Sequence, residues 1–271
     1  MLKRMPFQHL FLLLQIMISS LMPTALLLTG AAGAPSTPLK FLTNRQTNIS
    51  PVINANFPDP SILQDGDTWY AFGTNSGGHN VQVATAPAVG GPYTVLDQDL
   101  LPKVGSWSDG LNVWAPDIRK IGNTYVLYYT AESSQDAPHH CVGTATSATI
   151  EGPYTPASTP LACPLDQGGA IDPSGFTDTD GKHYVVYKID GNSIGHGGNC
   201  NNAVAPIVPT PIMLQQVASD GFTPVGDPIQ ILDRDDADGP LVEAPDLILV
   251  NGVYVLFFSS NCFDSTLYDI S

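Results

Sequence analysis

Basic residues are scarce in this sequence: Lys and Arg total 10 against 25 Asp and Glu, a formal net charge of −15 over 271 residues. A surface of that sign repels a phosphate backbone, so no nucleic-acid partner is expected. Charged residues of both signs reach only 13%, about half the share of an average soluble domain. No cysteine sits in a C-x-x-C pair, which argues against a zinc site. Beyond the first 34 residues no apolar stretch is long enough to span a bilayer. Long helices are not expected either, because Gly and Pro together make up 18% of the chain against about 12% in ordinary proteins, so turns are frequent. The length is enough for one large domain or two small ones.

What is present begins with a leader. Lys3 and Arg4 precede an apolar run from Leu10 to Leu28, and small residues from Gly30 to Ala34 close it. This three-part layout predicts a secretory signal peptide over residues 1–34, with a lead-in at 35–52. Gln15, Ser19, Ser20 and Pro23 interrupt the run, which speaks against a membrane anchor. Loss of Lys3 and Arg4 takes the charge to −17, suited to a soluble, monomeric protein outside the cell. Four cysteines remain after export. They allow three pairings, of which Cys141 with Cys163 and Cys200 with Cys262 is the expected one, the first closing a short loop and the second joining distant segments. Asn48-Ile49-Ser50 is a glycosylation acceptor disfavoured by Pro51.

The informative feature is a four-fold repeat. Four segments carry an Asp beside a Pro, then a turn, then a Tyr-bearing apolar run: Phe57-Pro58-Asp59-Pro60-Ser61 before Tyr70, Trp114-Ala115-Pro116-Asp117 before Tyr125, Ile171-Asp172-Pro173-Ser174 before Tyr184, and Glu243-Ala244-Pro245-Asp246 before Tyr254. The turns Asp65-Gly66, Gly122-Asn123, Asp180-Gly181 and Asn251-Gly252 lie between β-branched and aromatic residues, a strong hairpin signal. An echo after two of the hairpins, Gly91-Pro92-Tyr93-Thr94 and Gly152-Pro153-Tyr154-Thr155, raises the count to about four strands per repeat. The Tyr spacings of 55, 59 and 70 residues fit the blades of an all-β propeller, the last lengthened by an insert around Asn192 to Pro211. In a propeller the first strand of each blade lines the axis, so acids far apart in sequence converge on one pocket. A single Asp beside Pro is usually a turn residue; four in register point to a site.

At these residues the chain resembles glycoside hydrolase family 43, five-bladed β-propellers that cleave arabinose- and xylose-containing plant polysaccharides. The resemblance runs from about Ile53 to the C-terminus, residues 53–271, with about four blades present. It implies a general base at Asp59, a general acid at Glu243, and Asp172 positioning and tuning that acid. Inverting hydrolysis needs one carboxylate to activate water and one carboxylic acid to protonate the leaving oxygen across the sugar. On this reading burial and the charge of Asp172 raise the proton affinity of Glu243, while Asp59 stays ionised in a wetter place. Trp114, three residues before Asp117 as Glu243 is three before Asp246, is a candidate for stacking on a sugar ring. Phe57 is a candidate pocket wall. Asp117 is a candidate substrate contact, with a turn or backbone role as its alternative.

Other residues are read more plainly. His139 and His140 are expected in an exposed loop, His196 in a flexible Gly-rich one, and the Asp233 to Asp238 run as a solvated turn without EF-hand spacing. The resemblance associates a central calcium with a His of the fifth blade; no such His is visible, so no cofactor is required, and a structural calcium stays open without support from this chain. Only 17 residues follow Tyr254, which predicts an incomplete propeller whose chain stops inside the fourth blade. The expected partner is a polysaccharide or oligosaccharide, with no membrane once the leader is gone. The favoured activity is an arabinan-active α-L-arabinofuranosidase or endo-arabinanase. Alternatives are a β-xylosidase sharing the three acids, a fructan-cleaving propeller, disfavoured because Ile171 replaces the Arg of its Arg-Asp-Pro motif, and a carbohydrate-binding propeller without catalysis.

Overall fold

The computed structural model describes residues 51–271. The leader at 1–34, the lead-in up to residue 50 and the Asn48 acceptor lie outside the described residues. Four antiparallel sheets follow one another along the chain. The first holds β1 (Ser61–Asp65), β2 (Thr68–Gly73), β3 (Gln82–Ala86) and β4 (Thr94–Val95); the second holds β5 (Trp114–Ile121), β6 (Thr124–Glu132), β7 (His140–Ser147) and β8 (Thr155–Pro156). The third holds β9 (Ala170–Thr177), β10 (His183–Ile189), β11 (Ile212–Val217) and β12 (Ile229–Leu232), and the fourth β13 (Val242–Val250), β14 (Val253–Ser260) and β15 (Asp269–Ile270). Each sheet pairs its strands in sequence order, and the first strands β1, β5, β9 and β13 touch in succession. Four propeller blades are therefore present, as the repeat predicted. Among the described residues no helix is long and apolar enough to cross a membrane.

Local chemistry explains the hairpins. Gly66 (φ 58°) and Gly122 (φ 60°) take left-handed backbone between β1 and β2 and between β5 and β6. Between β13 and β14 both Asn251 (φ 52°) and Gly252 (φ 80°) are left-handed, the conformation that matches strand twist in a two-residue turn.

Strand periodicity then decides how blades stack. On β6, Tyr125, Leu127, Tyr129 and Ala131 pack into a core shared with Phe72 and Val83 of the first blade. The alternate residues Val126 and Tyr128 pack against Val185 and Val217 of the third. A strand buried on both faces must be apolar at every position, which is why this segment reads as an unbroken hydrophobic run. Tyrosine hydroxyls tie neighbouring blades: Tyr128 donates to the Gly221 carbonyl at 2.6 Å, and Tyr254 to Asp178 at 2.8 Å.

Both expected disulfides form, Cys141–Cys163 and Cys200–Cys262. The second anchors the insert after β10 to the chain leaving β14. It spans 62 residues against 22 for the first, so it restricts the unfolded chain more. Replacing Cys200 and Cys262 with Ala is expected to cost about 4 kcal/mol of unfolding free energy, and replacing Cys141 and Cys163 about 3 kcal/mol, by the loop-entropy relation; chemical denaturation of the two variants checks the order.

Candidate active site

The site is built on a bulge repeated at the start of each inner strand. In the second blade Trp114 pairs with Thr130 and Asp117 with Tyr128, so three steps on β5 match two on β6. The same offset separates Ile171–Lys188 from Ser174–Val186 and Glu243–Ser259 from Asp246–Phe257. In the first blade Ser61 pairs with Phe72, and Thr74 N–H donates to the Pro58 carbonyl at 3.0 Å. The extra residue always precedes the proline, and it is left-handed: Asp59 (φ 50°), Ala115 (φ 44°), Asp172 (φ 56°) and Ala244 (φ 49°). Such backbone costs an L-residue roughly 1–2 kcal/mol, and proline suits the interruption because it brings no N–H to the broken ladder.

This corrects the register expected from the sequence. Asp59 and Asp172 are equivalent to Ala115 and Ala244, whereas Asp117 and Asp246 lie two residues further on, level with Ser61 and Ser174. Proline, not aspartate, marks the repeat, because it is the backbone irregularity that all four blades share. The two sets of acids accordingly do different things.

The N–H of each later left-handed residue is accepted by the blade before it. Ala115 donates to Thr74 Oγ1 at 2.8 Å, Asp172 to Thr130 Oγ1 at 3.1 Å and Ala244 to Asp172 Oδ2 at 3.0 Å. Thr74 passes the chain on by donating its own hydroxyl proton to Asp59 Oδ2. Asp59 is thus oriented although it is exposed to solvent.

A cleft of about 1080 Å³ opens over these bulges, and Asp59, Asp172, Glu243, Trp114 and Lys188 line it. Three acids separated by up to 184 positions in the chain share one cavity. Trp114 presents one ring face to His140, with centroids 4.0 Å apart. Phe57 instead lies against Gly73, where an added Cβ would stand 2.8 Å from its ring, and it is not among the cleft-lining residues. Asp117 lines the cleft but is buried, with Oδ2 accepting from Arg119 Nε and from Gly175 N–H, both at 2.7 Å. Asp246 accepts from Ser174 Oγ at 2.8 Å and lies 3.7 Å from Arg119. Asp117 and Asp246 therefore belong to a belt that Arg119 fastens across three blades.

His140 departs from expectation. It opens β7 and is buried, with Nε2 lacking a hydrogen-bond partner, and burial lowers its proton affinity. His139, just before the strand, is half-buried and pairs with Asp136 at 3.1 Å. His196 is exposed. In the acidic run, Asp235 N–H donates to Asp238 and Arg234 pairs with Asp236.

Electrostatics distinguish the acids. Burial first, and then the facing Glu243 carboxylate, push the Asp172 carboxyl up to about 7, against the lowering influence of Lys188 and of the Ala244 N–H. Because Asp172 and Glu243 repel each other in a poorly hydrated place, the raised proton affinity belongs to the pair. Glu243 has Lys188 Nζ at 3.2 Å, and the same ammonium lies 3.1 Å from Asp190. Thr74, Thr130, Lys188 and Asp190 escaped the sequence reading. Lys188 alone had a visible signal, as a charge inside the apolar run Tyr184 to Ile189. Among the described residues the one close grouping of metal-type donors is Cys200, Cys262 and Asp264. Both its sulfurs are spent in a disulfide, and calcium takes oxygen ligands, so this grouping does not fit that ion.

Comparison with known proteins agrees with the architecture. The sequence profile of Glycosyl hydrolases family 43 matches residues 49–271. The Aspergillus flavus protein named "Probable arabinan endo-1,5-alpha-L-arabinosidase A" is 38% identical over 128 residues, 45% of this chain and 39% of that protein. "Extracellular endo-alpha-(1->5)-L-arabinanase 1" of Bacillus subtilis is 27% identical over 208 residues, 74% of this chain and 58% of that protein. The crystal structure of a thermostable family-43 glycoside hydrolase superposes with a TM-score of 0.64 at 25% identity, covering 78% of this chain and 66% of that one. The matched part of the chain thus spans about half the length of these curated relatives.

The raised Asp172 has a consequence for stability. Its folded value lies above its unfolded one, so the native state holds an extra proton between pH 4 and 7 and loses that stabilisation as pH rises through this window. Asp172→Asn is expected to flatten the decline, as denaturant midpoints at pH 4.5 and 7.5 will reveal.

Proposed function

Since the chain belongs to Glycosyl hydrolases family 43, we propose that it is an inverting glycosidase acting on arabinose-containing plant polysaccharide, with Asp59 activating water and Glu243 protonating the leaving oxygen. The observation carrying this reading is the meeting of Asp59, Asp172 and Glu243, each from a different blade, in one open cleft. Binding alone needs no such set of acids. Asp59 is solvent-exposed and held by Thr74, a suitable seat for a carboxylate that takes a proton from water. Asp172 lies across Ala244 from the acid and retains a proton to about 7, a reserve beside the group that protonates the departing sugar. Trp114 offers an aromatic face to a pyranose or furanose ring. Arabinan as substrate is supported by the names of the relatives from Aspergillus and Bacillus. Export is supported by the leader pattern, by two disulfides and by the extracellular naming of the Bacillus relative.

Debranched arabinan, xylan and aryl glycosides of arabinofuranose and xylose form the test set. Asp59→Asn and Glu243→Gln are each expected to lower kcat/KM by at least ~10²-fold, the usual worth of a positioned acid or base. Unchanged rates in both variants refute the assignment, and a preference for xylosides moves the substrate to xylan. Activity is also expected to decline above pH 7 as the buried acids give up their last proton. Asp172→Asn removes the like charge that retains this proton, so the surviving activity is expected to show its alkaline limb at lower pH.

A further inference from the structure

The bulge register makes four residues equivalent on the second strands of the blades. Trp114 pairs with Thr130, Ile171 with Lys188 and Glu243 with Ser259, and Thr74 bonds back to Pro58 in the first blade. In the first two blades this position is a threonine whose hydroxyl accepts the N–H of the next blade's left-handed residue, Ala115 or Asp172. The third blade breaks the pattern. Its residue is Lys188, which has no acceptor, and the N–H of Ala244 goes to Asp172 instead.

Burying an ammonium here has to be compensated. The Lys188 side chain is 1% exposed, with Asp190 at 3.1 Å and Glu243 at 3.2 Å. Alternation along β10 turns Val185, Tyr187 and Ile189 toward the second blade, and leaves Lys188 on the face toward β13. The charges around it are Asp190 on its own blade, Glu243 from the fourth blade and Asp172 from β9, with Asp59 beyond Asp172. His140 feels the charge of Asp190 from the second blade, and Tyr268 of the fourth blade that of Glu243. A buried cation between carboxylates is strongly unfavourable unless it is paired on both sides, so a lysine at a position where a hydroxyl suffices elsewhere implies a task.

We propose that Lys188, locked by Asp190, is a positioning residue that holds the Glu243 carboxylate in the cleft and governs how readily the Asp172 and Glu243 acids release their proton. This rests on the hydrolase reading, with Glu243 as the group that touches substrate. A neighbouring cation favours carboxylate over carboxylic acid. Removing it therefore makes the acids keep their proton to higher pH, and removing Asp190 works the opposite way by leaving the cation less neutralised.

The test uses the full chain and two substitutions of opposite sign. Lys188→Thr restores the hydroxyl of the other blades and is expected to fold, to lose about 10²-fold or more in kcat/KM at pH 6, and to shift the alkaline limb upward by about one pH unit. Asp190→Asn is expected to shift it downward, and it carries the test if Lys188→Thr does not fold. Carboxyl ¹³C NMR of Asp172 through pH 4 to 9 reads the same displacements without any turnover. A chain that cleaves none of the test glycans but shows the NMR displacements refutes the hydrolase reading and leaves the charge coupling standing. An active enzyme whose alkaline limb and Asp172 titration are unmoved by both substitutions, or whose rate falls equally at every pH, overturns the role of Lys188.

Discussion

Everything at the axis of this molecule depends on one backbone irregularity, the left-handed residue in front of proline at the head of each inner strand. A regular strand would send side chains alternately to the two faces of its sheet and none along the axis. The extra residue breaks that alternation and turns Asp59 and Asp172 into the cleft. The strain is sustained because each later copy gives its N–H to the blade before it, at Thr74, Thr130 or Asp172. Site geometry and blade-to-blade adhesion are for this reason a single feature: the bonds that orient the acids also join the sheets.

Stacking of the sheets follows from ordinary burial. β6 sends alternate residues into cores on either side, and tyrosine hydroxyls close the polar gaps between blades. On β14, Val253 and Phe257 are exposed. Within the cleft lining Arg119 draws Asp117, Ser174 and Asp246 together, holding three inner strands at a fixed spacing.

The charge balance of the cleft is set by two cations among six acids, with Arg119 taken up by Asp117 and Asp246 and Lys188 left to the remaining four. Asp59, Asp172, Glu243 and Asp190 all line the cavity, with Lys188 as the one ammonium there. In a partly dry space such a group cannot be fully ionised at neutral pH without large repulsion, and the resulting proton retention appears at Asp172.

The sequence by itself determined the all-β class and the four repeats with their strand order, because each leaves a local or periodic trace: Asp-Gly turns, alternating apolar residues, a proline at a fixed offset; the three acids came from the family resemblance, and the cysteine pairing was the favoured one of three. It misled on register, since Asp117 and Asp246 look like Asp59 and Asp172 until the bulge is counted, and on His140, which is buried at the head of β7. Thr74 and Thr130 left no trace at all, being unremarkable at the ends of apolar strands. Only the tertiary structure decided that Asp172 faces Glu243 closely enough to raise the pair's hold on a proton, that Phe57 packs on Gly73 away from the cleft, and that Lys188 reaches Glu243 across a blade boundary. Those outcomes depend on distance and burial between segments far apart in the chain, and electrostatic energy in a poorly hydrated cavity is governed by just those two quantities.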